Sequence, residues 1–140
     1  MRKKLNRILF IGLGGAGQRH LRLFRENLPN VELIAYRSTN KTPLLNSDFS
    51  VNQKESIENV YQVKIYNNLE DALALKPDLV VISTPSSMHL EYVQLCASKG
   101  INVFVEKPIS NSSKGLQALK DIVEKSSVGG ANFALERPYF

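Results

Sequence analysis

Ile8-Leu9-Phe10-Ile11-Gly12-Leu13-Gly14-Gly15-Ala16-Gly17 carries an apolar run straight into the spacing G-x-G-x-x-G. Arg7 to Ile11 reads as a fully buried parallel strand. Leu21, Phe24 and Leu28, at i, i+3 and i+7, read as the inward face of the helix that follows. Strand, glycine turn and helix in that order form a dinucleotide-binding signature. The first glycine permits the tight turn, the second lets backbone approach a pyrophosphate, and the third lets the helix sit close on the strand. Free N–H groups at the helix start then face two phosphates. Gly12, Gly14, Gly15, Ala16 and Gly17 are the candidate phosphate-binding residues. A plain tight turn has the same spacing, so the weight lies in the placement between strand and helix.

A second strand is expected from Val31 to Tyr36, and it ends in Tyr36-Arg37-Ser38-Thr39. Folds of this kind that bind NAD usually place Asp or Glu there, to grip the ribose 2′-hydroxyl, whereas an Arg holds a 2′-phosphate and stacks on adenine. No carboxylate stands at this strand end, and Asp48 and Glu55 lie too far along a polar stretch to replace one. Arg37 and Ser38 therefore favour NADP, with NAD as the second candidate. The competing reading makes Arg37 a solvated residue at a strand end.

Downstream, apolar runs alternate with helical periods. The polar segment from Asn40 to Glu55 reads as an exposed loop with a short helix beyond it. Val63 to Tyr66 is expected as a short strand. Asn68 then caps a short helix, with Asp71 three residues on forming an imperfect capping box, and Lys76-Pro77-Asp78 ends it. Leu79 to Ser83 is too apolar and β-branched for a surface strand and belongs in the centre of a sheet. Thr84-Pro85-Ser86-Ser87 turns the chain into a helix from about Met88 to Lys99, stopped by Gly100. Another buried strand runs from Asn102 to Glu106 into Lys107-Pro108. Leu116, Leu119, Ile122 and Val123 mark a further helix, and Ala131 to Leu135 a last strand. The alternation predicts an α/β fold: a single Rossmann-like domain with a doubly wound, mostly parallel sheet.

Composition narrows the partners. A chain of 140 residues suits one domain with a real core. Its net charge of +5 is spread among acids, which suits an anionic cofactor better than a nucleic acid. The single Cys96 lies in an apolar helical pattern, which rules out a disulfide framework and a cysteine metal site and favours a buried thiol over a reactive one. No metal site is expected. The basic start, Met1-Arg2-Lys3-Lys4, superficially mimics a signal peptide, but the apolar run passes into glycines and Arg19 without a cleavage site. No stretch approaches the roughly 18 apolar residues of a spanning helix, so a cytoplasmic protein without membrane partners is expected.

Three segments in this order and spacing carry a family resemblance. Gly12-Leu13-Gly14-Gly15-Ala16-Gly17 with His20, Ser83-Thr84-Pro85-Ser86-Ser87-Met88-His89, and Gly100-Ile101-Asn102-Val103-Phe104-Val105-Glu106-Lys107-Pro108 together resemble the N-terminal half of the Gfo/Idh/MocA oxidoreductases. The resemblance implies hydride transfer between a nicotinamide cofactor and a hydroxyl or carbonyl carbon of a sugar, polyol or nucleotide sugar. By the same resemblance Lys107 is the catalytic residue, its ammonium stabilising oxyanion charge and relaying a proton beside the nicotinamide ribose. Glu106 orients that lysine or lines the cofactor pocket, and Thr84 and Pro85 contact the nicotinamide half. His89 is assigned to the cofactor pocket, with packing or capping as an equal alternative, and His20 is read as structural.

Relatives of this kind continue into a C-terminal α/β domain that supplies the general base and most substrate contacts. The resemblance therefore divides the chain into a dinucleotide-binding domain, 1–127, and a segment, 128–140, holding the last strand and the start of a missing substrate domain. Leu135 stands where similar enzymes carry an arginine. The isolated chain is expected to bind cofactor without turnover, and to form a homo-oligomer through apolar surface near Phe133, Tyr139 and Phe140. A non-catalytic nucleotide-binding module, a sensor or interaction partner, is the alternative, and Lys107 argues against it. A methyltransferase using S-adenosylmethionine is disfavoured by Arg37, because that fold wants an acid on the ribose.

Overall fold

Four consecutive apolar side chains, Ile8 to Ile11, need cover on both faces, and a strand with that requirement belongs at the centre of a sheet. The computed structural model describes residues 4–39 and 42–106, parts of 113–124, and the backbone of 133–136. In it β1 (Arg7–Ile11) lies between β2 (Glu32–Tyr36) and β6 (Leu79–Ile82). The sheet continues outward to β5 (Val63–Tyr66) on one side and to β7 (Asn102–Glu106) and β8 (Phe133–Glu136) on the other. Every neighbouring pair is parallel. The order β5-β2-β1-β6-β7-β8 is the 3-2-1-4-5-6 order of doubly wound dinucleotide-binding sheets once a small separate hairpin is set aside.

Strand alternation divides the core in two. Ile8 and Phe10 face α1 (Gly15–Asn27) and α2 (Ile57–Tyr61), where they pack with Leu21, Phe24, Ile57 and Tyr61. Leu9 and Ile11 face α3 (Leu69–Leu73) and α4 (His89–Ser98), with Ala72, Leu73, Val93 and Cys96. At the amino end of the sheet, Asp78 Oδ2 accepts the backbone N–H groups of Asn6 at 2.8 Å and Arg7 at 3.0 Å, fastening the start of β1 to that of β6. The expected cap on α3 is in place: Asn68 Oδ1 accepts from the Asp71 N–H at 3.2 Å. The helix after β6 begins at His89, because Ser86–Met88 form a single 3-10 turn before it.

One expectation fails. Residues 44–52 are not an open loop but a hairpin of β3 (Leu44–Leu45) and β4 (Val51–Asn52), with Leu44 buried in the core against the α1 side. Its anchor is Gln18 on α1, a side chain 3% exposed. Gln18 Nε2 donates to the carbonyls of Leu13 and Pro43, both at 2.9 Å, and its Oε1 accepts the Leu45 N–H at 2.7 Å. Such three-way satisfaction of buried polar groups holds the segment despite its polar composition. The short helix beyond it is α2, capped by Ser56. Leu116, Leu119, Ile122, Val123, Ala131, Asn132, Tyr139 and Phe140 lie outside the described residues, as do the side chains of β8.

Candidate functional site

The carboxyl ends of β1, β2 and β6 open onto one crevice of about 260 Å³, the place where strand order reverses in a doubly wound sheet. Its floor is the glycine turn, and each glycine has its own task. Gly12 has φ +101°, and a Cβ there would stand 2.9 Å from the Ser83 carbonyl group. Ser83 also donates its N–H to Ile11 O at 2.9 Å and its hydroxyl to Gly12 O at 3.1 Å, so the turn is stitched to the end of β6. Gly17 brings α1 against this turn, because an added Cβ would lie 2.2 Å from Gly12 O. Gly14, which caps α1, has nothing within 4 Å on its side-chain side and lines the crevice. Gly15 and Ala16 follow in the first turn of α1, which carries no acidic residue and no side-chain cap. The helix start is thus open to an anion at Gly14, while the side-chain side of Gly15 is covered by Phe49 at 3.0 Å.

The walls hold most of the remaining candidates. Arg37 and Ser38 line the crevice beyond β2, and Thr84 and Pro85 line it beyond β6. Thr84 Oγ1 is buried without a hydrogen-bond partner, a donor and acceptor left over for a ligand. Tyr36 and Tyr92 complete the walls. Burial, with Tyr36 and Glu91 nearby, raises the Tyr92 phenol above its ordinary pKa.

Arg37 is not solvated. Its side chain is only 11% exposed, its Nη1 donates to Thr42 O at 3.2 Å, and its Nη2 meets Glu58 Oε1 at 3.2 Å. Arg37 Nε is buried with no partner. The strand end has no acid of its own, yet an acid does reach its arginine, from the first turn of α2.

His89 and Glu106 stand outside the crevice wall, as do Gly15, Ala16 and Gly17 on α1. His89 is buried beneath the wall, with Nε2 2.6 Å from Thr84 O, and braces the Thr84-Pro85 turn from inside. Glu106, at the end of β7, has its Oε1 3.4 Å from Arg19 Nη2 and 3.7 Å from His20 Nε2. His20 is buried edge-on to Phe104, in keeping with a packing role. Lys107 lies outside the described residues.

Sequence reasoning missed Gln18, Glu58 and Ser83. Ser83 sat inside a recognised motif, so its hydroxyl was open to being read as a turn contact. Among the described residues no cluster of three His, Cys, Asp or Glu side chains is placed to hold a metal ion, and no helix is long and apolar enough to cross a membrane.

Cys96 is fully buried on α4, and burial pushes its thiol up to about 12, against a small opposing effect of Lys99. A pKa raised that far leaves the thiol protonated throughout the neutral range, and the thiolate is the reactive form. Mass spectrometry after iodoacetamide treatment at pH 8 is expected to find the native chain unmodified and the denatured chain alkylated once. Rapid labelling of the native chain would contradict the burial.

Residues 6–130 match the family model described as "Oxidoreductase family, NAD-binding Rossmann fold". The scyllo-inositol 2-dehydrogenase (NAD(+)) of Bacillus subtilis is 29% identical over 122 residues, which are 87% of this chain and 33% of that protein. The crystal structure of myo-inositol 2-dehydrogenase from Lactobacillus plantarum is similar with a TM-score of 0.72 at 26% identity, covering 95% of this chain and 36% of that one. The WlbA dehydrogenase from Bordetella pertussis, in complex with NADH and UDP-GlcNAcA, shares the fold with a TM-score of 0.73 at 19% identity, over 95% of this chain and 37% of that one. The chain spans a third or less of the length of the curated relatives it matches. Glycine turn, strand order and family match agree: the chain belongs to the Gfo/Idh/MocA oxidoreductases and carries their NAD-binding Rossmann fold.

Proposed function

We propose that this chain is the cofactor-binding half of an oxidoreductase that transfers a hydride between a nicotinamide dinucleotide, NADP in preference to NAD, and a hydroxyl or carbonyl carbon of a sugar, polyol or nucleotide sugar. The observation that carries this reading is the glycine turn opening on a crevice whose β2 end offers an arginine fork and no strand-end acid. Inositol and nucleotide-sugar dehydrogenases among the similar proteins support the substrate class.

Bound nicotinamide supplies or accepts the hydride. The chain's own residues do the rest. Gly14, Gly15, Ala16 and Gly17 present the helix start to the pyrophosphate, and Ser38 adds a hydroxyl beside Arg37 at the adenosine end. Thr84 Oγ1 and Pro85 hold the nicotinamide end, with His89 fixing the Thr84 carbonyl from below. Lys107, directly after β7, is assigned by the family resemblance to hold the proton at the substrate oxygen and steady its negative charge, with Glu106 orienting it.

Cofactor choice tests the reading. Charge-assisted hydrogen bonds from Arg37 to a 2′-phosphate contribute roughly 1.5 to 3 kcal/mol each before screening, so NADPH is expected to bind more tightly than NADH, by about tenfold or more. The margin shrinks as salt rises. Arg37→Asp is expected to invert the order, since a carboxylate repels the phosphate and accepts from ribose hydroxyls. Calorimetric titration of both reduced cofactors at low and high salt measures this. Equal affinities in the unaltered chain, or an Arg37→Asp variant with the original order, would defeat it.

A further inference from the structure

Resting on the reading that this crevice binds a nicotinamide dinucleotide, we propose that Glu58 is a second determinant of cofactor choice, acting through Arg37 to hold the preference for a 2′-phosphate in check. The guanidinium of Arg37 is nearly buried, and a buried cation needs a counter-charge. Glu58 supplies it at 3.2 Å. Arg37 lines the crevice while Glu58 stands behind it on α2, 41% exposed. Seen from the ligand, the two charges largely cancel. A neutral ribose 2′-hydroxyl is little affected by that cancellation. A 2′-phosphate is affected strongly, because it arrives with a charge of about −1.5 to −2, and needs the guanidinium that the carboxylate already occupies.

This geometry gives the site an acid after all, though not on the strand that normally carries it. Only Nε is left without a partner, buried beside the crevice, while Nη1 holds the Thr42 carbonyl and Nη2 holds Glu58. What Glu58 subtracts is charge. A merely structural Glu58, needed to aim the guanidinium, predicts the opposite response to its removal.

The test is Glu58→Gln, which keeps the size and one acceptor oxygen and removes the charge, in the full 140-residue chain. Calorimetric affinities for NADPH and NADH are measured for both proteins, with thermal melts confirming that each is folded. The ratio of NADPH to NADH affinity is expected to rise about fivefold or more, almost entirely through NADPH, and the increase is expected to shrink in an Arg37→Gln background. An unchanged ratio, or a loss of NADPH affinity with NADH unaffected, overturns the proposal while leaving the crevice a cofactor site. Failure of the unaltered chain to bind either cofactor overturns both. Should Glu58→Gln not fold, Glu58→Ala on the same exposed face is read in the same way.

Discussion

Gly12→Ala and Gly17→Ala are expected to lower the melting temperature on the order of 10 °C, while Gly14→Ala lowers it by no more than about 4 °C and weakens dinucleotide binding at least tenfold. At Gly12 an alanine inherits φ +101° and meets the Ser83 carbonyl group at 2.9 Å, both rigid backbone. Strain of that kind together with the clash costs roughly 2 to 4 kcal/mol. At Gly17 the added carbon falls 2.2 Å from Gly12 O, so α1 must lift from β1 and carry its buried face, Leu21 included, with it. Neither effect exists at Gly14, where φ is −71° and the space is open. An N-terminal cap position changed from Gly to Ala costs only about 0.5 to 1 kcal/mol. The same methyl group then projects into the open space at Gly14 where the proposed function puts the pyrophosphate. Thermal melts and calorimetry on the three variants separate the roles. Equal melting losses at all three positions, or undiminished binding in Gly14→Ala, would contradict this division.

Gln18→Ala is expected to cost about 2 to 4 kcal/mol and to loosen the β3–β4 hairpin while the sheet stays folded. The substitution strands the carbonyls of Leu13 and Pro43 and the N–H of Leu45. Buried groups left unpaired cost roughly 1 to 3 kcal/mol each, reduced where water can enter. Urea titration gives the stability change, and limited proteolysis with peptide mapping locates new cleavage within residues 44–52. Stability within about 0.5 kcal/mol of the unaltered chain and uncut hairpin would show that Leu44 alone holds the segment.

The elements legible in sequence were those whose pattern is enforced by long-range burial. β1 and β6 read correctly because a strand covered on both faces must be apolar at nearly every position, as Ile8 to Ile11 and Leu79 to Ile82 are, whereas β7 buries only alternate residues, Val103 and Val105. The Asn68 cap was legible because its chemistry is local. The hairpin was not, since two-residue strands carry no period and its anchor is a glutamine on a different element. In a helix pattern Gln18 counts as a polar break in the apolar face, and only the folded chain reveals that it faces inward. Arg37 stands at the carboxyl end of β2 on the crevice, as its place in the sequence implied, but its partner comes from α2, and no spacing rule connects residues 37 and 58. His89 illustrates the same limit: its sequence position left cofactor contact and packing as equal alternatives, and only the fold shows its ring buried against the Thr84 carbonyl.

The central position of β1 governs how the molecule comes into being on the ribosome. Arg7 finds Glu32 early, but Ile8 must wait for Leu79, so one side of the first strand synthesised stays bare until most of the chain has emerged. A bare strand edge is a template for wrong partners. The nascent half can gain nothing from cofactor in that interval, because the crevice borrows Ser83, Thr84 and Pro85 from the chain that arrives last to close it. Binding is thus a report that β1 has found both neighbours, and dinucleotide added during refolding should raise the final yield without hastening the first pairing.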